Sequence, residues 1–165
     1  MKVAFLDRDG VLNLKPADAY YVTRLDQLEL APGAAAGVAA LNRAGYLAIV
    51  VTNQRAVARG LLSLEALAAM HDKLQQEVRA LGGRIEQFYV CPHEKGVCNC
   101  RKPLPGMFLD AFRDRPEIDR ETSFFIGDSD SDRAAAEAAG LRFYPLETNG
   151  SLLACLRERG LVPAS

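Results

Sequence analysis

The 165-residue sequence has no tryptophan, no surplus of either charge and no long apolar run. Its 20 basic and 21 acidic residues give a net charge of −1, which provides no global electrostatic attraction for nucleic acid or an anionic membrane. No apolar stretch approaches the roughly 20 residues of a transmembrane helix. The amino terminus shows no signal-peptide pattern. We therefore expect a cytoplasmic protein that binds neither nucleic acid nor membrane.

Cysteines are few, but three of the four are clustered. Cys91, Cys98 and Cys100 lie close together in the chain and share this segment with His93. In a cytosolic protein such a cluster indicates metal binding rather than disulfides. Three sulfurs and one imidazole suit a closed, tetrahedral Zn²⁺ site, and the alternative is a loop of reduced, unconnected cysteines. The isolated Cys155 is expected to be a small core residue.

What the sequence does contain is an alternation of short apolar runs with helical patterns. The predicted strands are Val3–Leu6, Leu47–Val51, Ile85–Val90, Ser123–Ile126 and Arg142–Tyr144. The predicted helices are Gly33–Ala44, Leu64–Leu81, Met107–Arg113, Asp132–Ala139 and Leu152–Arg159. This order predicts an α/β fold with a doubly wound parallel sheet. The length suits a single domain, residues 1–165.

Polar side chains follow three of the predicted strands. They are Asp7 and Asp9 after the first, Thr52, Asn53 and Gln54 after the second, and Asp128 and Ser129 after the fourth. Ligands of such sheets bind beyond the carboxyl ends of the strands, so we expect these groups to converge there. Carboxylates are suitable ligands for Mg²⁺, and a carboxylate is also a possible nucleophile toward phosphorus.

Each acidic group also has a simpler structural interpretation. Asp7 and Asp9 could form a turn or a helix-capping pair, and Asp128 could be the N-cap of the next helix. Asp132 is interpreted as a supporting group for the site. His71, on a predicted helix face, is expected to be partly solvated rather than functional.

Four motifs in this order resemble those of the haloacid dehalogenase-type phosphatases: Asp7-Arg8-Asp9-Gly10, Thr52-Asn53, Lys102 and Gly127-Asp128-Ser129. The resemblance covers roughly residues 3–140 and implies the Rossmann-like fold of that family. It implies that Asp7 is a nucleophile that is transiently phosphorylated, and that Asp9 acts as general acid and then as base. Thr52 and Lys102 would hold the phosphoryl group. Mg²⁺ would be bound by the side chains of Asp7 and Asp128 and by the backbone carbonyl of Asp9.

The cysteine cluster resembles a zinc loop found within this family. Its segments Cys91-Pro92-His93 and Cys98-x-Cys100-Arg101-Lys102-Pro103 are similar to those of heptose bisphosphate phosphatases and of the related histidinol-phosphate phosphatases. The resemblance implies Zn²⁺ bound by Cys91, His93, Cys98 and Cys100. We expect this ion to position Arg101 and Lys102 and to do no chemistry itself.

The sequence leaves little room for a cap domain. Between Asp9 and Thr52 it accommodates a loop and one helix, and between Thr52 and Lys102 one helix, one strand and the zinc loop. We therefore predict a capless, monomeric enzyme with an open site. Its selectivity would come from loops at residues 14–22, 55–59 and 94–97.

The favoured substrate is a small phosphorylated sugar, a heptose 1,7-bisphosphate that would lose its C7 phosphate. The expected substrate contacts are Thr52, Asn53, Gln54, Arg55, Arg101, Lys102 and Ser129. Arg101 is the preferred ligand for a second phosphate because arginine matches phosphate geometry bidentately. Arg55-Ala56 departs from the Ser-Gly usual in the family. The alternatives are histidinol phosphate as substrate, a DNA 3′-phosphatase, or a catalytically silent, zinc-stabilised binding module.

Overall fold

The structure, a computed structural model, describes residues 1–17 and 21–165, and in them five parallel strands form one sheet in the order β3-β2-β1-β4-β5. The strands are β1 Val3–Leu6, β2 Leu47–Asn53, β3 Ile85–Cys91, β4 Phe124–Gly127 and β5 Arg142–Pro145. The helices are α1 Ala34–Arg43, α2 Arg55–Ala58, α3 Leu64–Ala80, α4 Gly106–Asp114, α5 Asp130–Ala138 and α6 Leu152–Glu158, with a 3-10 helix at Leu25–Gln27. The predicted parallel α/β sheet is confirmed.

The central strand β1 is buried on both faces. Ala4 and Leu6 pack toward α1 and α6, whereas Val3 and Phe5 pack toward α4 and α5. All four side chains are fully buried, so helices cover the sheet on both sides. Such burial explains why the strand reads as a continuous apolar run without polar alternation. The two layers hold the carboxyl end of β1 in a fixed place.

Strand order reverses between β1 and β4. The chain runs outward from β1 through β2 to β3, then returns to form β4 on the other side of β1. In open α/β sheets the crevice at such a switch point is the usual ligand site. Asp7 follows β1 and Asp128 follows β4, and the Asp7 amide donates to the Ile126 carbonyl over 3.0 Å. The topology therefore brings the first and last motifs together.

Several boundaries differ from those predicted. The helix α5 begins at Asp130, two residues early, because the Ser129 side chain caps it by accepting from the Asp132 amide. The interpretation of Asp128 as the N-cap is therefore wrong. The segment from Arg55, predicted as a loop, contains the four-residue helix α2, which is too short to show a helical period. The predicted cap of α3 is confirmed, since the Ser63 side chain accepts from the Ala66 amide.

The capless architecture is confirmed for the described residues. Between Asp9 and Thr52 they form a 3-10 helix, α1 and most of β2. Between Thr52 and Lys102 they form two helices, β3 and most of the loop at residues 92–105, which we call the cysteine loop. In this part of the chain no helix is both long and apolar enough to span a membrane.

We expect Phe108→Ala to lower the free energy of unfolding by about 3–5 kcal/mol, the usual cost of removing a buried ring. Phe108 is fully buried on α4 and makes edge-to-face contacts with Phe5 and Phe125, with centroids 5.1 and 5.0 Å away. Leu109→Ala is the matched control, because the next side chain on α4 is 45% exposed. It should cost less than about 1 kcal/mol. Equal losses in urea unfolding would contradict this assignment of the buried face.

Candidate active site

A cavity of about 250 Å³ opens at the carboxyl ends of β1, β2 and β4. Its charged and polar lining comprises Asp7, Asp9, Lys15, Asn53, Gln54, Arg55, Arg101, Lys102, Asp128, Ser129, Ser131 and Asp132. Every predicted catalytic, magnesium or substrate residue except Thr52 is in this set. Thr52 is fully buried, and its hydroxyl accepts a hydrogen bond from Gln54 Nε2 over 3.0 Å.

Lys102 joins two carboxylates at the floor of the cavity. Its Nζ lies 2.9 Å from Asp7 Oδ1 and 2.7 Å from Asp132 Oδ1, and it donates to the Val51 carbonyl over 3.2 Å. Burial alone would lower the pKa of Lys102, but the carboxylates of Asp7 and Asp132 outweigh it and raise that pKa above its ordinary value. Lys102 therefore remains an ammonium ion in a nearly dry site.

Three carboxylates meet beside this ammonium. Oxygens of Asp7, Asp128 and Asp132 all lie within 4.8 Å of one another. Burial raises the pKa of Asp7 well above its ordinary value; Lys102 opposes this shift, and the neighbouring carboxylates of Asp132 and Asp128 add to it. Carboxylates this close together disfavour one another's ionisation. A further cation beside them would therefore stabilise the ionised cluster.

Asp128 provides the test of whether Mg²⁺ fits. Its Oδ2 accepts from Lys15 Nζ over 3.1 Å and from the Thr148 hydroxyl over 2.9 Å. Its Oδ1 is buried and receives no hydrogen bond from any described residue. A buried carboxylate oxygen without a donor, next to further oxygen ligands, fits a hard divalent cation such as Mg²⁺.

Glycines allow these acids to approach so closely. Gly10 has φ +88°, and a Cβ at this position would overlap Asp128 Oδ2. A Cβ on Gly127 would overlap the side chain of Asp132, whose Oδ2 accepts from the Asp128 amide over 3.0 Å. The glycines of the first and last motifs are therefore part of the site's geometry.

The side chain of Asp9 lies outside the carboxylate cluster. Its Oδ1 accepts from Arg8 Nη2 at 2.8 Å and from Asn13 Nδ2 at 3.0 Å, and its Oδ2 accepts from Gln54 Nε2 at 2.9 Å. Burial opposes ionisation, but the fully buried Arg8 and these donors hold the pKa of Asp9 below its usual value. Asp7 and Asp9 therefore have pKa values shifted in opposite directions.

The expectation that His71 is partly solvated is wrong. It is only 9% exposed, stacks on Phe88 with centroids 4.1 Å apart, and has Nε2 3.4 Å from Arg8 Nη1. Burial and the charge of Arg8 lower the pKa of His71 to about 3. The ring is therefore neutral, and it packs beside the Arg8 guanidinium. Its spacing from Leu67 and Leu74 on the apolar face of α3 was the signal for burial.

The loop after β5 also contributes to the site, through residues that carry no motif. Besides the contact from Thr148 to Asp128, the Asn149 side chain accepts from the Lys15 amide over 2.7 Å and donates to the Lys15 carbonyl over 3.1 Å. These two bonds fix the backbone of Lys15 beside the cavity. Only the position of the loop at the carboxyl edge of the sheet could have indicated this role.

The four predicted zinc ligands are brought together. Ligand atoms of Cys91, His93, Cys98 and Cys100 lie within 4.8 Å of one another. The Cys91 sulfur is 3.5 Å from that of Cys98 and 3.0 Å from that of Cys100, and His93 Nδ1 is 3.2 Å from Cys100 Sγ. Tetrahedral Zn–S bonds of about 2.3 Å place two sulfurs roughly 3.8 Å apart, so the set fits Zn²⁺ with slight expansion.

This cluster lies directly before Lys102 in the chain. Cys91 ends β3, and Cys100 precedes Lys102 by two residues. The Asn53 side chain forms two hydrogen bonds with the backbone of Lys102. It accepts from the Lys102 amide at 3.1 Å and donates to the Lys102 carbonyl at 3.3 Å. Asn53, expected as a substrate contact, is thus also a support for Lys102.

Comparison with known proteins agrees with this geometry. Residues 2–147 match the family model described as polynucleotide kinase 3 phosphatase. A Rhodopseudomonas palustris protein named D-glycero-beta-D-manno-heptose-1,7-bisphosphate 7-phosphatase is 41% identical over 152 residues, or 87% of this chain and 82% of that protein. A Mycobacterium bovis protein named for the alpha form is 41% identical over 129 residues, or 78% of this chain and 67% of that protein.

A solved relative agrees as well. The crystal structure of D,D-heptose 1,7-bisphosphate phosphatase from B. bronchiseptica, complexed with magnesium and phosphate, superimposes with a TM-score of 0.82 at 35% identity. The match covers 99% of this chain and 89% of that one.

Fold, site and matches together define a phosphoric monoester hydrolase of the haloacid dehalogenase type. Within that class the chain belongs to the family that the polynucleotide kinase 3 phosphatase model describes. The relatives named above are heptose bisphosphate phosphatases. An enzyme is thereby favoured over a catalytically silent binding module.

We expect Asp7→Asn to raise the midpoint of thermal unfolding without added Mg²⁺ at pH 7, by roughly 2–4 °C. At this pH the unfolded chain carries an ionised Asp7, and folding must either bury that charge or take up a proton. A raised folded pKa means that the stability present at low pH is lost as pH rises, so the amide removes a cost at pH 7. Lys102 keeps Asp132 as its partner.

The matched control for this measurement is Asp72→Asn, an exposed position on α3, which should leave the midpoint unchanged. A lower midpoint for Asp7→Asn would contradict the assigned shift.

Proposed function

We propose that the protein hydrolyses the C7 phosphate of D-glycero-D-manno-heptose 1,7-bisphosphate and leaves the C1 phosphate in place. The observation that carries the proposal is the carboxylate of Asp7, held by Lys102 at the floor of an open cavity that also contains Arg55 and Arg101. The names of the relatives supply the sugar. The product would feed synthesis of nucleotide-activated heptose in the cytoplasm.

In the first step a carboxylate oxygen of Asp7 attacks phosphorus, and the bond between phosphorus and the C7 oxygen breaks. Two hydrogen bonds orient the Asp7 carboxylate. Its Oδ1 accepts from Lys102 Nζ and from the Arg8 amide, each at a distance of 2.9 Å. Mg²⁺ bound by the side chains of Asp7 and Asp128 and the carbonyl of Asp9 would offset the repulsion between carboxylate and phosphate.

Asp9 moves the protons. In the ligand-free protein its three hydrogen-bond donors favour the carboxylate. A bound phosphate dianion raises the proton affinity of a neighbouring carboxylate, which lets Asp9 carry the proton that it gives to the C7 oxygen. Asp9 then removes a proton from water that attacks phosphorus. The bond to Asp7 breaks, and inorganic phosphate leaves.

The proposed substrate contacts surround this centre. They are Thr52, Asn53, Gln54, Arg55, Arg101, Lys102 and Ser129. The Thr52 hydroxyl accepts from Gln54 and keeps its own proton to donate to a phosphoryl oxygen. Zn²⁺ in the cluster of Cys91, His93, Cys98 and Cys100 would fix the backbone that leads to Arg101 and Lys102. The enzyme would act as a monomer.

Phosphate release from a substrate panel with Mg²⁺ tests the proposal. The panel contains both anomers of the heptose 1,7-bisphosphate, histidinol phosphate and a 3′-phosphorylated DNA oligonucleotide. We expect at least about tenfold higher kcat/KM for a heptose bisphosphate, which alone among these small phosphates presents a second phosphate to the arginines. Asp7→Asn serves as the background control and should lower kcat by about four orders of magnitude. Preference for histidinol phosphate or DNA would overturn the substrate assignment.

Removal of Zn²⁺ tests the positioning role of the cluster. A chelator that removes Zn²⁺ from the cysteines, followed by dialysis and addition of Mg²⁺, should lower kcat by about 10²-fold or more. Lys102 lies two residues beyond Cys100, so loss of the ion would release the backbone that positions it. Circular dichroism should retain the signal of the sheet and helices, and Zn²⁺ should restore turnover. Full activity of the zinc-free protein would contradict this role.

A further inference from the structure

Glu94 bridges the cysteine loop to the helix that follows β2. It lies directly after His93, one of the four clustered ligands. Its Oε1 lies 2.9 Å from Arg55 Nε, and its Oε2 accepts from Arg59 Nε over 3.1 Å. Arg55 opens α2 and Arg59 follows its last residue. One carboxylate therefore ties both ends of α2 to the loop.

Stability does not account for this bridge. The side chains of Glu94 and Arg59 are 42% and 47% exposed, and ion pairs so open to water contribute little to folding. The Arg55 side chain differs, since only 16% of it is exposed and it lines the cavity. The bridge therefore places the Glu94 carboxylate beside a guanidinium that lines the cavity.

This pairing leaves the outer end of Arg55 available. Glu94 Oε1 lies 2.9 Å from Nε as an ion pair without an aligned hydrogen bond, and no hydrogen bond or ion pair joins either Nη atom to a described residue. Arg101 lines the same cavity, and its buried Nη1 likewise lacks an acceptor there. A guanidinium with free terminal nitrogens is a matched donor for phosphate oxygens.

The other cations of the cavity are already paired. Lys102 is held by Asp7 and Asp132, and Lys15 by Asp128. Positive charge for an additional anion therefore comes from Arg101 on the cysteine loop, which forms no ion pair with a described residue, and from Arg55 on α2, which shares the single carboxylate of Glu94 with Arg59. Glu94 links these two segments.

We propose that Glu94 is a positioning residue that directs Arg55, so that Arg55 and Arg101 together bind a second anionic group of the substrate. The inference rests on the proposed function, because a monophosphate would not engage this pair. It adds to that function a specificity device formed by Glu94 and Arg55.

The test compares kcat/KM for heptose 1,7-bisphosphate with that for heptose 7-phosphate, which lacks the second phosphate. The ratio is measured for the wild type, Glu94→Gln, Arg55→Ala and the double variant. We expect each single change to lower the ratio about tenfold or more, mainly through KM for the bisphosphate. If Glu94 acts through Arg55, Glu94→Gln should lower the ratio no further in the Arg55→Ala background.

Glu86→Gln is the matched control. Glu86 also lies between two arginines, 3.7 Å from Arg84 and 3.3 Å from Arg115, but near the amino end of β3, away from the cavity. It should leave the ratio unchanged. Zinc content and the unfolding midpoint of each variant show whether the cluster and fold are intact, and Arg55→Ala tests the pair without a substitution in the cysteine loop.

The outcomes separate the two proposals. A wild-type enzyme with no preference for the bisphosphate overturns the proposed substrate, and the inference with it. A clear wild-type preference that survives in both Glu94→Gln and Arg55→Ala overturns the inference alone. Additive losses in the double variant would show that Glu94 does not act through Arg55.

Discussion

The rest of the site depends on the ion pairs that the ammonium of Lys102 forms with two carboxylates. It lies between Asp7 and Asp132, with all three side chains largely withdrawn from water. A buried ammonium left without any carboxylate partner would be an uncompensated charge, which typically costs 3–5 kcal/mol, whereas loss of the Asp7 charge alone leaves Asp132 as its partner. The position of Lys102 is therefore as constrained as that of a core residue. Its segment cannot be supported by apolar packing alone, because the side chain enters the site from a loop.

Two different supports meet this constraint. On one side the Asn53 side chain bonds both the amide and the carbonyl of Lys102, which joins the loop to the end of β2. On the other side the four clustered ligands bring together the two ends of the segment that directly precedes Lys102. A loop has many accessible backbone conformations, and fixing each residue opposes folding by roughly 1–2 kcal/mol. Zn²⁺ in this cluster would supply that ordering without a large apolar contact, and so would leave the cavity open to a polar substrate.

The sequence predicts those parts of the site that follow from the sheet. Asp7, Asp9 and Asp128 come directly after apolar runs, and parallel strands present their carboxyl ends at one edge. The supporting role of Asp132 was also predictable, since helix α5 must turn it back toward β4. Thr148 and Asn149 were missed, because they act from a loop whose course depends on tertiary contacts rather than on periodicity. Glu94 lies in a loop that was expected to contribute selectivity, but its pairing with Arg55 and Arg59 was not predicted. The burial of His71 was misjudged for another reason: a polar residue on an apolar face was read by its type instead of its spacing.

The first motif shows why the surrounding shell matters as much as the reactive groups. Asp7 and Asp9 are separated by one residue, yet burial among carboxylates raises the pKa of Asp7, whereas Arg8, Asn13 and Gln54 keep that of Asp9 low. A cation bound beside Asp7 would lower its pKa and a phosphate dianion beside Asp9 would raise that of Asp9, which is what the proposed roles of nucleophile and general acid require. Arg8 is central to this division, since it is fully buried and faces Asp9 on one side and the neutral ring of His71 on the other. A neutral histidine accepts a hydrogen bond from the guanidinium but carries no negative charge that would pair with it. The charge of Arg8 therefore remains paired with Asp9 alone.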